Sequence, residues 1–167
     1  MSFISKRCEY GLRAAFHIAA HQKKDDFLSI RDISEELDIS FHFLTKILQS
    51  LTRAGIMTSS RGRTGGIVLA KPASEITLYE ILHALGETDP FHSCILGLAA
   101  CGDQSPCPLH AAWAVERIRL KSLFENMTLD QLADPIARGE IRLRLNPSPT
   151  PSRPRSTPAA KLRAGSP

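Results

Sequence analysis

No stretch of this 167-residue chain approaches the roughly 20 consecutive apolar residues that cross a bilayer as a helix, and the opening MSFISKRCEY holds no apolar run of signal-peptide length. These two absences predict no membrane span and a cytoplasmic protein. Thiols are kept reduced in that compartment, so a cysteine cluster there points to metal binding or redox chemistry rather than a structural disulfide. The C-x₂-C pair of zinc ribbons is also missing, and residues 39–74 contain no aspartate or glutamate. Each absence throws weight on what remains: three cysteines close together, and a run of uncompensated positive charge.

Net charge is +4, unevenly spread. Residues 1–71 carry 11 Lys+Arg against 7 Asp+Glu, residues 72–145 carry 6 against 10, and residues 146–167 carry 4 against none. The acid-free window holds Lys46, Arg53, Arg61, Arg63 and Lys71. Such a surplus is an electrostatic footprint for phosphates, although charge alone also suits a solvated face. After Leu145 six of the chain's 11 prolines follow in NPSPTPSRPRSTPAAKLRAGSP, with few large apolar groups. This composition predicts a disordered basic tail within a linker-and-tail segment, residues 136–167. The length before it fits a single domain of modest core, which a partner subunit would help stabilise.

Apolar periodicity predicts the helices. Tyr10, Leu12, Ala15, Phe16 and Ala19 mark a first helix from near Ser5 to near His21. Ser29 caps a short helix, IRDISEEL, with Ile30, Ile33 and Leu37 inward, and Ser40 caps the next after only Asp38 and Ile39. That tight connection suits a helix-turn-helix. In the helix after Ser40, the residues Phe43, Leu44, Ile47, Leu48 and Leu51 face the core. His42, Thr45, Lys46, Gln49 and Arg53 are left opposite, a face of hydrogen-bonding and cationic groups fit to meet base edges and phosphates in a major groove. Gly55 ends it. Ile56–Ser60 and Ile67–Ala70 read as strands, and RGRTGG between them as a turn needing positive φ angles, with Arg61 and Arg63 at its tip. Thr77 and Glu80 form a capping box for a helix burying Leu78, Ile81, Leu82 and Leu85, stopped by Gly86.

The cysteines Cys94, Cys101 and Cys107 follow in CILGLAACGDQSPC, and His110 comes three residues later. Wide spacing on a glycine-containing loop with exposed amides suits an iron-sulfur cluster, whose sulfurs accept such hydrogen bonds. Pro108 at the first position of a helix would make Cys107 its N-cap and put His110 third, where it can reach back as a ligand or simply cap. The helix continues through HAAWAVERIRLKSLFENM with Ala111, Val115, Ile118, Leu123 and Phe124 apolar, more than a small winged helix covers, which predicts a homodimer. Met127–Ala133 reads as a closing helix capped by Thr128. The fold expected is mainly α: a winged helix-turn-helix over residues 1–72, then cluster loop and dimerisation helices over 73–135 in the same compact unit.

The ordered set SKRCEYGLRAAFHIA, DISEELDISFHFLTKILQSLTRAGIM, SSRGRTGGIVLAK, ITLYEILHAL and the cysteine loop with CPLH resembles the iron-sulfur winged-helix regulators of the IscR/NsrR type, over about residues 1–135. The resemblance implies a dimeric transcription regulator that binds a pseudo-palindromic double-stranded DNA operator and holds a [2Fe-2S] or [4Fe-4S] cluster on Cys94, Cys101 and Cys107. His110 matches the fourth ligand of IscR-like members, whereas in NsrR-like members a carboxylate from the other subunit serves, at a position where this chain has Glu9 beside Cys8. Thr45 stands where IscR-like members carry a glutamate that filters DNA sequence. Two readings compete: a zinc- or thiol-disulfide-controlled regulator of the same fold, and a cysteine-dependent enzyme using Cys107 and His110, for which the sequence supplies no third orienting group.

Overall fold

Ser5 opens the ordered helices by accepting a hydrogen bond from the Cys8 N–H at 3.3 Å, and α1 runs Lys6–His21. Ser29 does the same for Asp32 at the start of α2, Ile30–Leu37. Asp38 then turns left-handed at φ 53° and leads into α3, Phe41–Arg53. This computed structural model describes residues 3–23, 26–62, 65–87, 91–98, 104–141 and 143. Ser40 occupies the N-cap of α3 as expected, but its side chain makes no capping bond. Gly55, at φ 72°, follows the last turn.

A hairpin of β1, Met57–Ser60, and β2, Gly66–Leu69, pairs antiparallel from Met57↔Leu69 to Ser60↔Gly66. Leu28, ahead of α2, adds a bridge to Ile67, with reciprocal backbone hydrogen bonds of 3.0 and 2.9 Å. This bridge corrects the expected role of the wing glycines. Gly62 has the positive φ, 108°, but Gly66 is needed because a Cβ there would meet the Leu28 carbonyl oxygen at 2.2 Å.

A 3-10 turn, Ala73–Glu75, leads to α4, Leu78–Ala84, where both halves of the Thr77/Glu80 capping box form. The chain returns in α5, His110–Asn126, and α6, Asp130–Ala137. Two expected boundaries move. Leu109, not Cys107, is the N-cap of α5, so His110 is its first residue rather than its third, the Cys107 carbonyl instead accepting the His110 N–H in a turn at 2.9 Å. The closing helix starts at Asp130 and runs past Pro135 to Ala137, because Thr128 is taken up in a bridge to Thr77 that ties the end of α5 to the start of α4.

The core is built by α1–α4 and the wing: Ile18, Ile33, Leu44, Ile47, Leu48, Leu51, Met57, Ile67, Ile76 and Ile81 are all less than 2% exposed. Phe43, expected inside, is 37% exposed. It shares a line along α3 with Ile47 and Ser50 but sits one turn nearer the helix start, where Tyr10 of α1 meets it edge-on at 5.8 Å. Ser50 takes the buried place, 5% exposed. Gly11 lets α1 pass close to α4, since a Cβ there would lie 2.3 Å from Leu85 Cδ1 and 3.4 Å from Ile47 Cγ2 of α3. Arg13 staples α1 to the rest by donating to the carbonyls of Leu37 and Leu143. The expected disordered tail beyond Leu145 lies outside the described residues. No helix among the described residues is long and apolar enough to cross a membrane.

Candidate nucleic-acid interface and metal site

The outer face of α3 is polar because the steps of three and four residues that bury Leu44, Ile47, Leu48 and Leu51 turn His42, Lys46, Gln49 and Arg53 away from the core. All four are exposed. Thr45 is half-buried, and its hydroxyl donates to the Phe41 carbonyl at 2.8 Å, which leaves it only acceptor capacity for another partner. Between this face and the hairpin runs an open groove of about 400 Å³, walled by Thr45, Gln49, Arg53, Ser59, Ser60 and Arg61 over a floor of Leu48 and Ile67. Helix and wing therefore bring Thr45, Gln49, Arg53 and Arg61 to one surface. Arg63 lies outside the described residues.

Two residues absent from the expected face belong beside it. Ser50 Oγ–H donates to the Lys46 carbonyl at 3.2 Å and accepts from Arg53 Nη2 at 3.1 Å and from Arg7 Nη2 of α1 at 2.6 Å. Nothing in the local pattern of α3 signals Arg7, which stands 43 residues before Ser50.

The cysteine loop is anchored at its entry. Phe91, 5% exposed, packs against Phe3 at 5.8 Å, Tyr79 at 6.1 Å and Phe124 at 5.4 Å between ring centroids. Next along the chain, the His92 carbonyl accepts from Arg117 Nη1 at 2.7 Å and the Ser93 carbonyl from Trp113 Nε1 at 2.9 Å. Trp113 and Arg117 are one turn apart on α5, so a single helix face holds the two peptides that precede Cys94. Cys94 is 8% exposed and Cys107 half-buried, with their sulfurs 3.8 Å apart and the Cys94 thiol directed at Cys107.

Two thiolates on one tetrahedral metal with bonds of about 2.3 Å lie about 3.8 Å apart, so this pair fits the edge of such a site. Cys101 lies outside the described residues. Among the described residues no three His, Cys, Asp or Glu side chains converge as a metal site, and His110 is half-buried at the start of α5.

Cys8, a competitor for the ligand set, is fully buried in α1, and burial pushes its thiol up to about 11 with the Glu87 carboxylate alongside adding to the effect. That environment disfavours the thiolate, which is the ligating form. Hydrogen bonds from Ser5 hold the Glu87 carboxyl below the ordinary carboxylate range, the Ser5 N–H donating to it at 3.0 Å. Glu9, the other alternative ligand, pairs with Lys6 in the first turn of α1.

A family model described as Rrf2, iron-dependent transcriptional regulator, matches residues 4–135. Protein aau3 of Rhizobium meliloti (strain 1021) is 32% identical over 157 residues, 93% of this chain and 99% of that protein. The HTH-type transcriptional regulator IscR of Escherichia coli O1:K1 / APEC is 29% identical over 131 residues, 78% of this chain and 80% of its own. Among solved structures, CymR, the global cysteine regulator of B. subtilis, superposes with a TM-score of 0.64 at 27% identity, covering 80% of this chain and 97% of that one.

Proposed function

The chain belongs to the Rrf2 family of transcriptional regulators, and from that premise we propose that it binds an operator as a homodimer under the control of an iron-sulfur cluster on Cys94, Cys101 and Cys107. DNA binding follows from the family. The finer assignment is that His42, Thr45, Lys46, Gln49 and Arg53 of α3 enter the major groove while Arg61 and Arg63 of the wing meet the adjacent backbone, on a pseudo-palindromic duplex. Residues 1–72 read DNA, and residues 73–135 carry the sensor and the dimer contact.

The observation that carries the cluster reading is the 3.8 Å approach of Cys94 and Cys107 beneath the Trp113 and Arg117 anchors. Cys101 completes the sulfur set, and His110, three residues after Cys107 at the start of α5, is the fourth ligand. A bound [2Fe-2S] or [4Fe-4S] cluster supplies a group that responds to redox poise, iron supply or nitric oxide. The protein's part is positional. Trp113 and Arg117 donate to backbone carbonyls and so fix the peptides leading to Cys94, while the aromatic contacts of Phe91 link that loop to the segment ahead of α1, to α4 and to α5. Val115, Ile118 and Leu123 are 49%, 71% and 47% exposed along α5, the apolar surface that a second copy covers.

The test is anaerobic purification with iron and acid-labile sulfide analysis and a visible spectrum, followed by binding of duplexes selected from a random pool with cluster present and removed. Iron, sulfide and visible absorption, with duplex affinity that changes on cluster loss, are expected. Zinc without visible absorption would transfer control to the zinc- or thiol-based alternative. A chain that selects no duplex in either form overturns the operator reading.

A further inference from the structure

We propose that Arg7, Ser50 and Arg53 form a phosphate-binding site on the flank of α3, which extends the nucleic-acid footprint to the first helix. Ser50 is 5% exposed, and its hydroxyl hydrogen is committed to the Lys46 carbonyl. Its oxygen accepts from Arg7 at 2.6 Å and Arg53 at 3.1 Å, so two guanidinium groups from different helices converge on one neutral atom. A hydroxyl orients two like charges but cannot neutralise them. Among the described residues neither arginine enters an ion pair, the adjacent Glu9 is paired with Lys6, and residues 39–74 hold no carboxylate. Both side chains are exposed and use one nitrogen on Ser50.

The remaining fork donors suit a ligand with several closely set anionic oxygens, and phosphate matches that geometry by bidentate contact. Lys46, whose carbonyl orients Ser50, lies one turn away on the exposed side of α3 and adds a third positive charge. The phosphate can come from a duplex backbone or from free inorganic phosphate. Only the duplex source rests on the DNA-binding reading above.

The experiment uses full-length wild type, Arg7→Gln, Arg53→Gln and the double variant, each first checked for an unchanged melting temperature in chloride buffer. Arg7→Gln should weaken every selected duplex by about fivefold near 0.15 M salt and flatten the slope of log affinity against log salt by about 0.9, as loss of one phosphate contact requires. A shared phosphate makes the double variant's slope change smaller than the sum of the two single changes. In parallel, inorganic phosphate replaces chloride at constant ionic strength. Stabilisation of wild type but not of Arg7→Gln, with duplex binding unaffected by the substitution, assigns the site to the free anion. Unaltered duplex affinity and slope together with an unaltered phosphate response overturn the site. If wild type selects no duplex, the operator reading fails, and the phosphate arm still decides the site on its own.

Discussion

In α1 to α4 each helix closes over apolar side chains, with seven residues of α1 and five of α3 buried, whereas α5, a 17-residue helix, buries none. Only Leu120 and Phe124 of α5 pack, half-buried, against the core. Helices α1 to α4 are held by hydrophobic burial that the chain supplies itself. Helix α5 is held near its ends instead, by Trp113 and Arg117 on the loop and by the Thr77–Thr128 bridge, while its middle presents aliphatic side chains outward. The division matches function as proposed. On the proposed function, the helices that carry the reading face are self-sufficient, and α5, which leads out of the sensor loop, would take part of its order from a second copy or a bound cluster.

The largest effect tests that contrast directly. Leu44, with no exposed surface, should cost about 2–5 kcal/mol on truncation to alanine, measured by chemical denaturation. Ile118→Ala, at a position 71% exposed, should stay within about 0.5 kcal/mol for the monomer. Equal losses at the two sites would erase the difference between α3 and α5. Next in size, Ile118→Asp places a charge on the outward stripe of α5 and should weaken self-association by at least about tenfold, roughly 1.4 kcal/mol, in sedimentation equilibrium. Unaltered association would move the dimer contact elsewhere.

A smaller effect belongs to pH. His17 is 7% exposed, and burial, with stacked His21 at 4.3 Å, lowers its pKa against the opposing pull of Glu36 at 3.5 Å. The unfolded chain therefore takes up this proton first, near the ordinary value of about 6.5. The contribution of neutral His17 is complete above that pH and declines as pH falls through it toward the lowered folded value. The drop in melting temperature between pH 7.5 and 5.5 should shrink in His17→Gln, and an identical drop would place the response on other groups. The smallest effect is chemical: Cys8, buried with its thiol raised to about 11, should resist alkylation at pH 8 in the folded, cluster-free chain while Cys107 reacts, as peptide mapping reads out. Rapid native labelling of Cys8 would mean that the N-terminal turn of α1 opens readily.

The sequence predicted what local chemistry controls. Ser5, Ser29 and the Thr77/Glu80 box start their helices as expected, and the period of α3 separates its buried residues from His42, Lys46, Gln49 and Arg53. What it misplaced depends on distant neighbours. Phe43 follows the buried period yet lies beyond the core, Gly66 serves a backbone contact with Leu28 that no turn rule anticipates, and Thr128 pairs with Thr77 instead of capping α6. The start of α5 moved because Cys107 and His110 close a turn ahead of the helix. Of the candidate site, the exposed polar face of α3 was legible, but the Arg7 contact to Ser50 and the carbonyl partners of Trp113 and Arg117 join residues far apart in sequence. Arg63 and Cys101 fall outside the described residues.

Trp113, the only tryptophan in the chain, donates its indole N–H to the carbonyl of the residue before Cys94. Indole emission responds to that hydrogen bond and is quenched by energy transfer to a nearby absorbing centre. The chain therefore carries its own optical probe of the loop: rearrangement around Cys94 registers as a change in ultraviolet emission, against a background free of any other indole. Under the proposed function, loading or loss of a cluster at the cysteines would be followed in stopped flow without a label, alongside any change in duplex binding.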